Sequence, residues 1–337
     1  MSIKIGFVGT GGIANSHLGG LAKIEGVQIT ALSDIVEGRA QQAAERWKQR
    51  KKEEGLAFEV IGTPYTNYRE MYSKEALDAV YVCLPPNLHG DVEIDAAKAG
   101  LHLFVEKPVN LYLEKGIEAA EAIDKAGVIT SVGYQSRYSN NADAAKKFLA
   151  NKTIGMVVAE DFSGVAGGDA HWWRVMERSG GKLHEQTTHQ LDMIRFLAGD
   201  IVEVFKYQAL RINTAMANHT IPDLEIASFV FESGALGILT VSCAMTQGGG
   251  HGKTEFLLEG HIIMHYPGLE IVPAGAATIE IENKPIPAID RAFVDAVRSG
   301  DSSPIRSTYK DGLKTTAVTL AANQSAQEGK PVAVARI

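Results

Sequence analysis

Residues 3–14 read IKIGFVGTGGIA, from Ile3 to Ala14. Ile3 to Val8 is a short apolar run of the kind that is buried on both faces of a parallel sheet. It feeds directly into Gly9-Thr10-Gly11-Gly12-Ile13-Ala14, and a helical pattern follows through Ile24. Glycine at Gly9 allows a tight turn, and glycine at Gly11 lets the backbone approach a pyrophosphate. The helix that starts around Gly12 and Ile13 supplies amide donors and the positive end of its dipole. Ala14 takes the third motif position, where helix packs on strand. Strand, glycine loop and helix in this order read as a dinucleotide site.

Val27 to Ser33 reads as a second strand ending at Asp34, 23 residues after Gly11. A dinucleotide fold places there the acid that bonds the adenosine ribose diol. A carboxylate at this point repels a 2′-phosphate, which favours NAD. Arg39 nearby keeps NADP open, since an arginine accommodates that phosphate. Further alternation follows, with strands at Ala79–Leu84, His102–Val105 and Val128–Val132 and helices at His89–Gly100 and Leu113–Ala126. The pattern predicts a doubly wound α/β sheet. Glu106-Lys107-Pro108 closes one strand, so Lys107 falls at a carboxyl end, where open sheets of this kind bind ligands.

The chain has 337 residues, more than one core usually supports, and two domains are expected, 1–133 and 134–337, with C-terminal helices able to pack back on the first. Net charge is −7 with no basic tail, which points away from nucleic acid and anionic membranes. Glycines interrupt the N-terminal apolar run, so no signal peptide is read there, and no stretch approaches a membrane span. Cys83 and Cys243 lie in strand-like runs and read as buried thiols of a cytoplasmic protein.

In the second half, GGKLHEQTTHQLD runs from Gly180 to Asp192. His184 and His189 are five apart, a divergence of roughly 140° on one helix, so they cannot share a zinc ion there. No metal site is expected. The apolar spacing predicts a helix from Glu185 to Leu197, on which Glu185, His189 and Asp192 share a stripe. A carboxylate beside an imidazole suits a general acid/base. Just upstream, residues 167–174 contain Trp172, Trp173 and Arg174. Indole faces against a pyranose, with Arg174 on its hydroxyls, would form a sugar platform. Tyr134 and Arg137 open the crossover to the second domain and are expected to face the same cleft.

GTGGIA, LPPNLHGD (84–91), EKP (106–108) and GGKLHEQTTHQLD in this order, with SAQEGKPV (325–332) near the end, resemble the glucose–fructose oxidoreductase / inositol dehydrogenase (Gfo/Idh/MocA) family. These are nicotinamide-dependent sugar and polyol dehydrogenases. The resemblance implies that Lys107 and His189 are catalytic, and that Glu185 stands where the family usually has aspartate. It implies that Pro85, Asn87 and His89 line the nicotinamide side, with Glu106, Lys107 and Gln135 completing the cofactor set. Lys107, Glu185 and His189 would also contact the substrate. It further implies a C-terminal α+β domain on a large, open, mostly antiparallel sheet, and a homodimer or homotetramer formed through that sheet. Alternating runs at 160–162, 202–210, 225–231, 237–242, 254–259, 262–266, 270–272 and 278–282 are its expected strands. The implied activity is NAD(P)-dependent oxidation of a secondary hydroxyl on a sugar, glycoside or cyclic polyol, or the reverse. An NAD-dependent glycoside hydrolase and a non-catalytic sensor are the alternatives of the same fold.

Overall fold

The structure is a computed structural model that describes residues 2–165, 167–168 and 171–337. The chain divides into two compact units. The first comprises residues 1–110, 114–135 and 287–311; the second comprises 111–113, 136–286 and 312–337.

The first unit alternates strand and helix: β1 (Ile3–Val8), α1 (Gly12–Leu21), β2 (Val27–Ser33), α2 (Arg39–Glu54), β3 (Glu59–Tyr65), α3 (Tyr68–Lys74), β4 (Ala79–Val82), α4 (Asp91–Lys98), β5 (His102–Val105), α5 (Leu113–Ala126) and β6 (Thr130–Val132). The six strands pair in parallel in the order β3-β2-β1-β4-β5-β6. The strand order reverses between β1 and β4, and ligands of open α/β sheets bind at such a point. β4 and β6 are buried throughout, as strands covered by helices on both faces must be.

The second unit contains α6 (Asn140–Leu149), β7 (Ile154–Phe162), α7 (Met176–Ser179), α8 (Lys182–Glu185), α9 (Thr188–Ala198), β8 (Ile201–Ala209), β9 (Leu224–Phe231), β10 (Leu236–Ser242), β11 (His251–Leu258), β12 (Ile263–Tyr266) and β13 (Glu270–Val272). The chain then returns to the first unit with α10 (Ile289–Ser299), and ends with α11 (Tyr309–Glu328) and β14 (Val332–Ala333). The sheet of this unit has eight strands in the order β13-β12-β11-β7-β10-β9-β8-β14, antiparallel except for the β7–β10 pair. One face packs Val157, Phe229, Leu239 and Phe256 against Leu191, Ile194 and Val318 of the helices. Register puts Phe205, Tyr207, Ile226, Ile238 and Leu236 on the other face, where Tyr207, Ile226 and Leu236 are exposed.

Two expectations are corrected. Residues 278–282 form no strand: their alternation gives an extended segment held beside α6 by Lys147–Glu282 (2.9 Å) and Asn140 Nδ2 to the Lys284 carbonyl (3.1 Å). The eighth strand is β14. The helix expected from Glu185 to Leu197 is broken after Glu185, and α9 starts at Thr188. The Thr187 hydroxyl donates to Asp161 Oδ2 at 2.5 Å, tying the break to β7. Gln190 Nε2 donates to the Lys253 carbonyl (2.8 Å) and to Thr254 Oγ1 (3.0 Å), seating the start of α9 on β11. Among the described residues, no helix is long and apolar enough to cross a membrane.

Candidate active site

In the first unit, the carboxyl ends of β1, β2, β4 and β5 gather the residues expected to hold a dinucleotide. Gly9 has φ +86°, and a Cβ there would stand 2.3 Å from the Cys83 carbonyl oxygen. Only glycine fits this turn between neighbouring strands. A Cβ on Gly11 or Gly12 would meet nothing within 4 Å, so the loop faces open space. No side chain caps α1 at Gly11, and its first turn has no acidic residue. Its leading amides and dipole are therefore available to an anion. Ile13 is exposed beside them, while Ala14 is fully buried against the sheet.

Asp34 directly follows β2 and is buried. Its Oδ2 accepts from the Thr10 amide (3.1 Å) and the Thr10 hydroxyl (2.9 Å), and its Oδ1 from the Val36 amide (3.0 Å). The exposed Arg39 guanidinium stands 3.5 Å from Oδ1. The acid is thus locked to the glycine loop itself. These features fit the pyrophosphate and ribose of NAD: an open glycine cradle, an uncapped helix start and a fixed carboxylate on the adjoining strand.

Pro85 and Asn87 follow β4 and are partly exposed. His89 is fully buried, with Nδ1 2.5 Å from Glu93 and Nε2 3.0 Å from the Leu84 carbonyl. Burial opposes its protonation, but Glu93 outweighs this and raises its pKa. Both ring nitrogens are engaged, Nε2 with the turn after β4 and Nδ1 with the first turn of α4. Glu106 is buried, Lys107 is partly exposed, and the Lys107–Pro108 peptide is cis. Tyr134 is buried and Gln135 is exposed.

Sequence reasoning passed over His17, on the inner face of α1. Its Nε2 lies 2.9 Å from Glu106 Oε1 and its Nδ1 2.8 Å from Asp290 Oδ1 of α10. Burial alone would lower its pKa. The two carboxylates reverse that and hold it at about 10. No local signal exposes this cluster, because its members are far apart along the chain.

The second unit holds the other expected residues. A cleft within it is lined by Trp173, Lys182, Glu185, Gln186, Ile221 and Cys243. Trp173 and Glu185 are thus brought together, and Lys182 and Cys243 join them unforeseen. Lys182 Nζ donates to the Ser242 carbonyl (2.7 Å), the Asp161 carbonyl (3.0 Å) and Asp161 Oδ1 (3.1 Å). Burial pushes its pKa down, with Asp161 pulling the other way. Burial likewise pushes the Cys243 thiol up to about 11, so it is an inert neutral group.

Trp172 and Trp173 lie in one short turn, their rings nearly perpendicular with centroids 5.8 Å apart. The Trp173 indole N–H is buried without a hydrogen-bond partner among the described residues. Arg174 donates to the Gly167 carbonyl at 3.1 Å within the same loop; Asp169 and Ala170 lie outside the described residues. Arg137 is buried, and its guanidinium is bound bidentately to Asp192. His189 is partly exposed near the start of α9. Among the described residues, no group of three or more His, Cys, Asp or Glu side chains is arranged to hold a metal ion.

A parallel nucleotide-binding sheet with this glycine cradle, joined to an open mixed sheet, defines a two-domain nicotinamide-dependent oxidoreductase. Residues 3–134 match the oxidoreductase family described by its NAD-binding Rossmann fold, and residues 142–260 match the GFO/IDH/MocA C-terminal domain. The chain belongs to the Gfo/Idh/MocA family. It is 31% identical to the myo-inositol 2-dehydrogenase of Thermotoga maritima, over 70% of this chain and 67% of that protein. It is 27% identical to the scyllo-inositol 2-dehydrogenase (NAD(+)) of Bacillus subtilis, over 98% of this chain and 96% of that protein. Its fold matches the WlbA dehydrogenase of Bordetella pertussis, solved with NADH and UDP-GlcNAcA, with a TM-score of 0.83 at 23% identity, covering both chains fully.

Proposed function

We propose that the protein is an NAD-dependent dehydrogenase that oxidises a secondary hydroxyl of a sugar, glycoside or cyclic polyol to a ketone, or catalyses the reverse reduction. The observation that carries the cofactor half is the open glycine cradle with Asp34 locked beside it. The inositol dehydrogenases among the relatives support the substrate class. Bound NAD supplies the hydride acceptor.

The chain's own residues handle the proton and the hydroxyls. His189 takes the O–H proton as general base, and Lys107 hydrogen-bonds the same oxygen and stabilises its developing negative charge. Glu185, in the cleft with Trp173, accepts from another substrate hydroxyl. Gly9 to Ala14 and Asp34 hold the dinucleotide, with Pro85, Asn87 and Gln135 near its nicotinamide half. Arg39, on the surface beside Asp34, leaves NADP as a secondary cofactor. The first unit, residues 1–110, 114–135 and 287–311, thus serves as the cofactor domain, and the second, residues 111–113, 136–286 and 312–337, as the substrate and assembly domain. The exposed apolar row Tyr207–Ile226 and Leu236 suits self-association through the open sheet face. We assign the protein to the cytoplasm.

The test is reduced-nicotinamide absorbance with purified protein, NAD and then NADP, across inositols, free sugars and glycosides. NAD-dependent turnover is the expected result, with Lys107→Ala and His189→Ala each losing about 10²–10⁴-fold in kcat. Near-wild-type turnover in either variant overturns that residue's role. Silence across the panel with dinucleotide still bound overturns the dehydrogenase reading in favour of a hydrolase or sensor.

A further inference from the structure

His17 lies on the buried face of α1, five residues beyond the first residue of the helix that opens on the glycine loop. Each ring nitrogen is within hydrogen-bond distance of a carboxylate: Glu106 at 2.9 Å and Asp290 at 2.8 Å. A neutral imidazole has one donor, whereas an imidazolium has two, so this geometry is fully satisfied only by the protonated ring. The ring also lies against Phe104 and Tyr81, with centroids 4.6 and 5.3 Å away.

Glu106 is held from two further sides. Its Oε2 accepts from the backbone N–H of Lys107 at 3.2 Å. At the end of β6, Gly133 leaves it room: a Cβ there would stand 2.3 Å from Oε1. The carboxylate is therefore boxed in, and one of its oxygens fixes the peptide from which Lys107 projects.

A buried ionic triad is a poor device for stability alone, because apolar residues of similar volume often do as well or better. Its distinctive product is position. We propose that His17 is a positioning residue for Lys107, acting through Glu106. The ring ties the turn after β5 to the helix of the glycine loop, so the lysine is held in fixed register with the cofactor cradle. This inference rests on the reading of Lys107 as the catalytic lysine.

The test is a two-background comparison of the full-length protein at a temperature where every variant is folded by circular dichroism. His17→Gln is made in the wild type and in Lys107→Ala. The expected result is a kcat loss of about 10- to 100-fold in the wild-type background, the scale of a misplaced catalytic group. Substrate KM stays within about threefold, and NADH binding, read by reduced-nicotinamide fluorescence, is retained. In the Lys107→Ala background, His17→Gln adds no further loss. Asp290→Asn, which keeps the His17–Glu106 contact, shows a smaller kcat loss and serves if His17→Gln does not fold.

A lower melting temperature with kcat unchanged in both His17→Gln and Asp290→Asn overturns the inference, as does an equal loss in the two backgrounds. Full turnover in Lys107→Ala alone would instead remove the catalytic reading of Lys107, and the two failures are told apart by that single variant.

Discussion

Arg137 grips Asp192 through two parallel hydrogen bonds, Nε to Oδ2 at 2.7 Å and Nη2 to Oδ1 at 2.6 Å, with both side chains out of solvent. Thr315 also donates to Asp192 Oδ1, at 2.9 Å. Burial raises the pKa of Asp192, and Arg137 counters it. Asp192 stands three residues after His189 on α9, so the pair anchors the helix that carries the proposed base.

Arg137→Ala removes the bidentate counter-ion of that buried carboxylate and leaves it the Thr315 hydroxyl and the field of Arg195, which costs up to about 3–5 kcal/mol. Arg137→Lys keeps the charge and loses the fork, and is expected to cost less. Urea unfolding reads the stability, while substrate KM in the surviving Arg137→Lys enzyme should stay near wild type. A large KM rise with stability intact would make Arg137 a substrate residue instead.

Two glycines of one loop should respond in opposite ways. Gly9→Ala forces a Cβ onto the Cys83 carbonyl at positive φ, and unfolding should show a loss of several kcal/mol. Gly11→Ala meets only open space and should fold normally. Its methyl would take the room proposed for the pyrophosphate, so the Kd for NAD should rise at least about tenfold. Calorimetric titration decides it, and unchanged NAD affinity in Gly11→Ala would remove the cradle from the dinucleotide site.

Trp173 can be dissected because its N–H is buried and has no hydrogen-bond partner among the described residues. A substrate hydroxyl that accepts from it would be worth about 1 kcal/mol, or a few-fold in KM. Trp173→Phe keeps an aromatic face and should raise KM by about three- to tenfold, with Trp173→Ala higher still. Unchanged KM in both variants would place the indole outside the substrate's reach.

The pH response of stability follows from His17. Its pKa is raised from 6.5 to about 10 in the folded chain. A raised pKa means that the folded state keeps a proton the unfolded chain has released. The contribution is therefore whole below pH 6.5 and fades as pH rises through 10. Melting temperature should fall across that alkaline window in the wild type, and more shallowly in His17→Gln. Parallel alkaline slopes would show that the ring is not charged.

The nucleotide-binding unit was legible because its signals are local: a strand, a glycine turn and a helix within residues 3–21. The same holds for Asp34, whose place follows from strand length and spacing. The break after Glu185 was not legible, because it is held by Asp161, far back on β7. Periodicity continues across it and suggests one helix. Residues 278–282 alternate like a strand, but alternation reports an extended backbone and not a pairing partner. His89 and Arg137 carry polar groups of a kind expected in a binding site, yet each is engaged by Glu93 or Asp192 inside its own unit. His17 stayed hidden for a related reason: Glu106 and Asp290 reach it from 89 and 273 residues away.

The return of residues 287–311 to the first unit has a consequence for biosynthesis. Phe293 of α10 packs edge-on against Tyr81 and Phe104, and Asp290 completes the contacts of His17. Until α10 has emerged from the ribosome, those rings lack their edge contact with Phe293 and His17 lacks one of its two carboxylates. The first 135 residues therefore wait through most of translation as an incomplete domain, exposed to chaperones and proteases. Tight dinucleotide capture on the nascent chain should appear only after about residue 311 is free of the exit tunnel.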